Sequence, residues 1–117
     1  MKKGPDNFLP LSPAALHILL SLAGEDLHGY AIMQDVARQS EGRYKLGPGT
    51  LYDNLQKMIR QRWVEELGGR ADDDDPRRRY YKLTSGGRSV LRAETDRLAG
   101  VVREARLRLR GVKPRRS

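Results

Sequence analysis

The chain has 117 residues, enough for one domain with a modest core, and it carries a net charge of +8 at pH 7. It contains no cysteine, which excludes disulfides, thiolate metal sites and cysteine nucleophiles. No apolar run approaches the roughly 18 residues of a membrane span, and no apolar secretion signal follows the N-terminus, so we expect a cytoplasmic protein without a membrane partner.

The positive charge favours a polyanionic partner, either nucleic acid or an anionic membrane surface, and of the two we expect nucleic acid. It is concentrated at the C-terminal end, because residues 101–117 contain seven basic residues and one acidic residue. A solvated, disordered tail over residues 111–117 is an equally good interpretation of this pattern. Whether the tail contacts DNA therefore stays open.

The first helix is predicted to follow an N-terminal arm over residues 1–10. Ser12 can cap its free amides, and Pro13 suits the first helical position because that position needs no N–H. Residues 14–23 are apolar almost all round, which is typical of a buried helix. The helix can be buried against its own domain, a second subunit or both, and the side chains predicted to face a partner are Leu16, Leu19 and Leu20.

The third helix has the most informative pattern. The second helix is expected from about His28 to Gln39, and the third from Gly49 to about Gln61. One face of the third helix carries Leu51, Leu55, Met58 and Ile59. The opposite face and its flanks carry Thr50, Tyr52, Asp53, Asn54, Gln56, Lys57 and Arg60. Such a polar, cationic face fits the major groove of DNA, although an ordinary solvated helix face is the alternative.

A β-hairpin is predicted next, with strands over residues 63–67 and 79–83. The connecting loop is long and charged, and residues 72–75 are four consecutive aspartates. Helices followed by a two-stranded hairpin are typical of a winged helix-turn-helix domain, here over residues 11–84. In such a domain the hairpin flanks the recognition helix and contacts DNA phosphates or a minor groove.

A long last helix is predicted over residues 85–110. Its heptad seam consists of Leu91, Thr95, Leu98, Val102, Ala105 and Leu109. A rod of about 39 Å is too long for one small domain to cover, so we expect a dimerisation helix. The alternative is that the helix folds back on its own domain. The expected fold is therefore mostly α-helical with a small β-hairpin: a winged helix-turn-helix followed by a dimerisation helix.

An enzyme is not expected, and neither is a cofactor or a metal ion. The two histidines have no partner spacing typical of acid–base or nucleophilic chemistry, and no phosphate-binding P-loop is present. An aspartate run without a turn scaffold is a weak metal site. A winged helix that binds another protein instead of DNA is the alternative function.

Three motifs in order carry a resemblance to a known family: HGYAI at residues 28–32, GTLYDNL at 49–55 and RYYKLTSGG at 79–87. Together the motifs resemble the PadR family of transcriptional regulators, over residues 11–109. The single C-terminal helix is similar to the smaller subgroup of that family. The resemblance implies a homodimer that binds a palindromic operator, usually represses, and is often released by a small aromatic or drug-like effector.

The resemblance also suggests residue roles. It places Thr50 and Tyr52 on phosphates and Asn54 and Lys57 on base edges, with Gly29 allowing close helix packing. Trp63 is a candidate for an effector pocket, although a core role is the alternative. The cations expected in the wing are Arg77, Arg78 and Arg79, and Asp53 and Arg60 complete the predicted DNA-binding set.

The aspartate run at residues 72–75 departs from this pattern, because it would repel phosphates. Either the loop tip points away from the duplex, or it pairs with the wing arginines until DNA displaces it. In the hypothesis as a whole, two subunits hold their recognition helices roughly 34 Å apart, facing successive major grooves. An effector near the dimer centre would alter that separation.

Overall fold

The computed structural model describes residues 4–70, 75 and 77–113. In this part of the chain, helices pack against a small sheet, and a long final helix extends away from it. The elements in order are a 3₁₀ helix (Pro5–Phe8), α1 (Pro13–Gly24), β1 (Leu27–His28), α2 (Gly29–Gln39), α3 (Pro48–Arg60), β2 (Val64–Leu67), β3 (Tyr80–Leu83) and α4 (Ser85–Leu109).

Side-chain caps fix the starts of three helices. The Ser12 hydroxyl accepts a hydrogen bond from the Ala15 N–H at 3.1 Å, and the Thr84 hydroxyl accepts one from the Gly87 N–H at 3.0 Å. His28 Nδ1 accepts one from the Ala31 N–H at the start of α2, at 3.3 Å. These caps satisfy amides that the first helical turn leaves free. The predicted helices are confirmed, with bounds that differ by one or two residues.

The sheet has three antiparallel strands in the order β1-β3-β2. The predicted hairpin is confirmed, with Val64 opposite Leu83 and Leu67 opposite Tyr80. Its strands are one residue shorter than expected at the start, so Trp63 and Arg79 lie just outside them. The sequence did not indicate β1, because a two-residue strand has no alternation to detect.

The core is formed where α1, α2 and α3 meet the sheet and the first half of α4. Its fully buried side chains include Ile18, Leu19, Ile32, Leu51 and Leu55. The predicted partner contact is therefore wrong for Leu19, which is completely buried within its own chain. It is also wrong for Leu91, only 8% exposed, because α4 begins by packing against α1 and β3.

The N-terminal arm and Leu11, the residue that follows it, pack against the rest of the domain. Phe8 meets Trp63 edge to face, with ring centroids 5.0 Å apart. The Leu11 N–H donates to Glu94 Oε2 on α4 at 2.9 Å. Glu94 is 1% exposed and also accepts from Arg97, and these bonds, led by the one from Arg97, keep the pKa of its carboxyl below its usual range. The arm therefore links α4 to the region beside Trp63.

The second half of α4 extends beyond the domain. Val101 and Val102 are about half exposed, and Leu109 is 87% exposed. The alternative in which the whole helix folds back on its own domain is therefore wrong for this half. The apolar seam from Leu98 onward remains available to a second molecule.

Candidate nucleic-acid interface

Helix α3 presents a polar face because its apolar face is fixed in the core. Leu51, Leu55 and Met58 are buried, and α3 packs against α1, α2 and β2. The predicted division into two faces is confirmed. The side chains left exposed on the outer face are those of Thr50, Tyr52, Asp53, Gln56, Lys57 and Arg60.

The two residues predicted to contact base edges have different surroundings. Lys57 is exposed, whereas Asn54 is half-buried and its Nδ2 donates to the Thr50 carbonyl oxygen at 2.8 Å. An adenine edge needs both a donor and an acceptor from an asparagine amide. The second Nδ2 proton and Oδ1 are therefore the groups of Asn54 that can contact a base without breaking this bond.

Tyr52 and Asp53 lie side by side on the exposed surface but differ in chemistry. The Tyr52 hydroxyl lies against Gly29 at the first residue of α2. Asp53 is exposed, and its carboxylate would repel a phosphate but can accept from a cytosine amino group. A phosphate contact therefore suits Tyr52, whereas Asp53 suits only a base contact.

The described part of the wing contains arginines with acidic neighbours. Arg77 Nε lies 3.4 Å from Asp75 Oδ1, and Arg79 Nε lies 3.7 Å from Glu66 Oε1. The Arg78 N–H donates to the Asp75 carbonyl oxygen, and the Arg70 guanidinium lies 4.1 Å from the centre of the Tyr80 ring. Exposed ion pairs of this kind contribute little to stability. DNA phosphates can therefore replace the carboxylates as partners of the arginines.

The aspartate run falls mostly outside the described residues. Of residues 72–75, only Asp75 is described, and it is the one that pairs with Arg77. The prediction that the aspartates pair with wing arginines is therefore supported for Asp75. For residues 72–74 it stays a prediction.

Trp63 borders a small cavity beside α3. The ring is 7% exposed and packs in the core, as the alternative interpretation expected. Its edge also contributes to a cavity of about 220 Å³ between the N-terminal arm, α1 and α3. The lining includes Phe8, Asn54, Lys57 and Gln61. Phe8 and Gln61 could not be assigned from the sequence, because the lining residues are distant along the chain and form no local motif.

Within residues 4–70, 75 and 77–113, no group of histidine, aspartate and glutamate side chains could hold a metal ion. Among the helices of that same part of the chain, none is long and apolar enough to cross a membrane.

Comparison with known proteins identifies a matching family. The model of the transcriptional regulator PadR-like family matches residues 18–93. The transcriptional regulator Rv3488 of Mycobacterium tuberculosis is 33% identical over 96 residues, which cover 76% of this chain and 78% of that protein. An uncharacterized 37.1 kDa protein in transposon TN4556 of Streptomyces fradiae is 35% identical over 86 residues, 74% of this chain but 23% of that protein.

A solved structure gives the same fold. The crystal structure of a PadR family transcription regulator from Clostridium difficile R20291 matches with a TM-score of 0.72 and 21% identity, over 84% of this chain and 99% of that one. The mostly helical winged helix-turn-helix fold predicted from the sequence is thereby confirmed. The chain belongs to the PadR-like family of transcriptional regulators, whose members regulate transcription and are not enzymes.

Proposed function

We propose that this protein is a cytoplasmic, homodimeric repressor that binds a palindromic operator through α3. The observation that carries the proposal is the outer face of α3, where hydroxyl, amide and cationic side chains are exposed together while the opposite face is fixed in the core. A rigid helix with such a face suits the major groove, which displays base edges to these groups. Occupying the operator would block polymerase.

The second half of α4 supports the dimeric part of the proposal. Val102 and Leu109 are exposed in the single chain and, with Leu98 and Ala105, continue one heptad seam. Pairing of two such helices would bury this seam. In the resulting dimer the two α3 helices would lie roughly 34 Å apart, one turn of DNA. Leu16 and Leu20 of α1 remain candidates for the same interface, since Leu20 is 42% exposed.

Substitutions on α3 test the reading of bases. Lys57→Ala and Asn54→Ala should each reduce the preference for operator over random duplex by about tenfold, because base contacts provide discrimination. Lys82→Ala controls for loss of charge, since Lys82 is an exposed lysine on β3 and not on α3. Even if Lys82 contacts a phosphate, its loss should leave the preference for operator unchanged. Affinities for both duplexes are measured at one fixed salt concentration. Unchanged selectivity in Asn54→Ala would remove that residue from base recognition.

The wing should contribute differently. Arg78→Ala should weaken binding to all duplexes alike and reduce the steepness of the salt dependence by about one charge, because phosphate contacts carry no sequence information. The measurement is affinity against salt concentration for operator and random DNA. A change in selectivity with an unchanged salt slope would instead place Arg78 on a base edge.

Release by an effector completes the proposed regulation. The cavity beside Trp63 has room for a single aromatic ring, and Lys57 at its edge favours an anionic substituent. An aromatic carboxylate bound there would compete with DNA for Lys57. Because the chain has one tryptophan, benzoate binding should change the fluorescence of Trp63 and lower operator affinity, whereas benzyl alcohol should do neither. Equal responses to the two compounds, or none, would contradict this site.

A further inference from the structure

Gly29, the first residue of α2, lies in close contact with Tyr52 of α3. A Cβ atom built at position 29 would lie 2.3 Å from the Tyr52 hydroxyl oxygen and 3.0 Å from Cζ. Real Cβ atoms do not approach other atoms so closely. The phenol therefore occupies the space that any other side chain at position 29 would fill.

The glycine at position 29 is needed for space and not for backbone conformation. Gly29 starts a regular helix after the extended residue His28, a conformation open to every residue type. Glycine is a poor helix residue, so its use at the start of α2 gives up some helix stability. The compensating gain is the close approach of Tyr52.

Tyr52 would otherwise be free to turn into solvent. Its side chain is 44% exposed, and neighbouring Asp53 is exposed as well. Contact with Gly29 holds the hydroxyl end of the Tyr52 ring against the start of α2.

We propose that Gly29 is a positioning residue for DNA binding, which acts by holding the Tyr52 hydroxyl in place to bind a backbone phosphate. This inference rests on the proposed function and adds a residue that itself touches no DNA. A positioned hydroxyl forms its bond to a phosphate without first losing side-chain freedom, so binding is tighter than with a mobile tyrosine. Phosphate contacts fix the register of the helix in the groove.

The test uses the variants Gly29→Ala and Tyr52→Phe and their combination. Gly29→Ala should fold normally, because the clash is with the outer end of an exposed side chain that can rotate away. Its affinity for operator should fall by about tenfold, as should that of Tyr52→Phe, the range expected for one hydrogen bond to a charged group. The double variant should bind about as well as Tyr52→Phe alone, because both changes remove the same contact.

Gly24→Ala is the matched control, since a Cβ atom at position 24 meets nothing within 4 Å. It should leave affinity unchanged, and the melting temperature of Gly29→Ala should equal or exceed that of the unsubstituted protein. A structure of Gly29→Ala without DNA should have Tyr52 in a different rotamer.

The outcomes separate this inference from the proposed function. If the unsubstituted protein binds operator and Gly29→Ala binds it equally well, the inference is wrong and the proposed function stands. If Gly29→Ala lowers affinity equally with and without the Tyr52 hydroxyl, Gly29 acts through general packing and the inference is wrong. If the unsubstituted protein binds no duplex, the proposed function fails and this role of Gly29 fails with it.

Discussion

Glu94 joins two parts of the chain that lie 83 residues apart. Its carboxylate accepts the Leu11 N–H and two charged hydrogen bonds from Arg97, and it is almost completely buried. A buried charge is tolerated only when it is bonded in this way. The residue therefore fixes Leu11, which directly follows the N-terminal arm, to α4.

Glu94→Gln should lower the free energy of unfolding by about 2 kcal/mol at pH 7, because a neutral amide pairs poorly with Arg97. The pKa of Glu94 in the folded chain lies below its ordinary value of 4.5, so the stability it provides is present above that pH and is lost as the pH falls through the folded pKa. Urea unfolding measures the free energy of unfolding of the unsubstituted protein and of Glu94→Gln. The difference between the two values should therefore become smaller from pH 7 to pH 3.

Glu104→Gln is the control, because Glu104 forms a similar pair with Arg108 on the same helix but is half exposed. Glu104→Gln should change the free energy of unfolding by less than about 0.5 kcal/mol. If the loss of stability in Glu94→Gln did not change with pH, the stabilising effect could not be assigned to the ionised carboxylate of Glu94.

For single residues, the sequence predicted which side of a helix is exposed better than which residues are in contact. The 3.6-residue period places Thr50, Lys57 and Arg60 on the exposed side of α3, and the structure confirms that exposure. It could not predict that Leu19 is buried within its own chain, because an almost wholly apolar helix has no preferred core side. Nor could it predict that Glu94 bonds Leu11 or that Gly29 packs against Tyr52, since these partners lie far apart along the chain. The family resemblance implied only that Gly29 allows close helix packing.

Among the elements, the junction of β2, β3 and α4 depends on a close approach at Gly87. A Cβ atom there would lie 2.2 Å from the Trp63 carbonyl oxygen and 2.6 Å from Leu83 Cδ1. The same carbonyl oxygen accepts the Thr84 N–H at 3.0 Å, so it cannot move away without losing that bond. Backbone contact at this point sets how α4 leaves the sheet.

Gly87→Ala should therefore destabilise the protein by about 2–3 kcal/mol, in the range of overpacking a well-packed core. Gly100→Ala, in open space on the same helix, should instead raise stability by up to about 1 kcal/mol. Thermal unfolding of the two variants checks the pair. Equal effects on the melting temperature would contradict the packing argument.

Helices longer than one turn were predictable from the sequence, because the hydrophobic period, the capping residues and the helix-breaking residues indicated the same bounds. Ser12 with Pro13 marked the start of α1, and the start predicted for the last helix, residue 85, is where α4 begins. The elements that escaped prediction are short: β1 has two residues and the 3₁₀ helix at Pro5–Phe8 has four. Their formation depends on contacts with β3 and α4, not on local preference.

For the whole molecule, the proposed dimer depends on the exposed half of α4. Val102→Glu should shift the protein toward monomer, because it places a charge in the heptad seam. Leu107→Glu is the matched control, since Leu107 is also exposed but points away from the seam by helical spacing. Sedimentation equilibrium at micromolar concentration measures both. Equal dissociation of the two variants would show that the seam is not the interface.

Hydroxyl-radical footprinting on a genomic fragment captured by the protein tests the central claim most directly. Two symmetry-related α3 helices predict two protected half-sites whose centres are about 10 base pairs apart on one face of the duplex, with inverted sequence. Protection of a single unsymmetrical site would contradict the account.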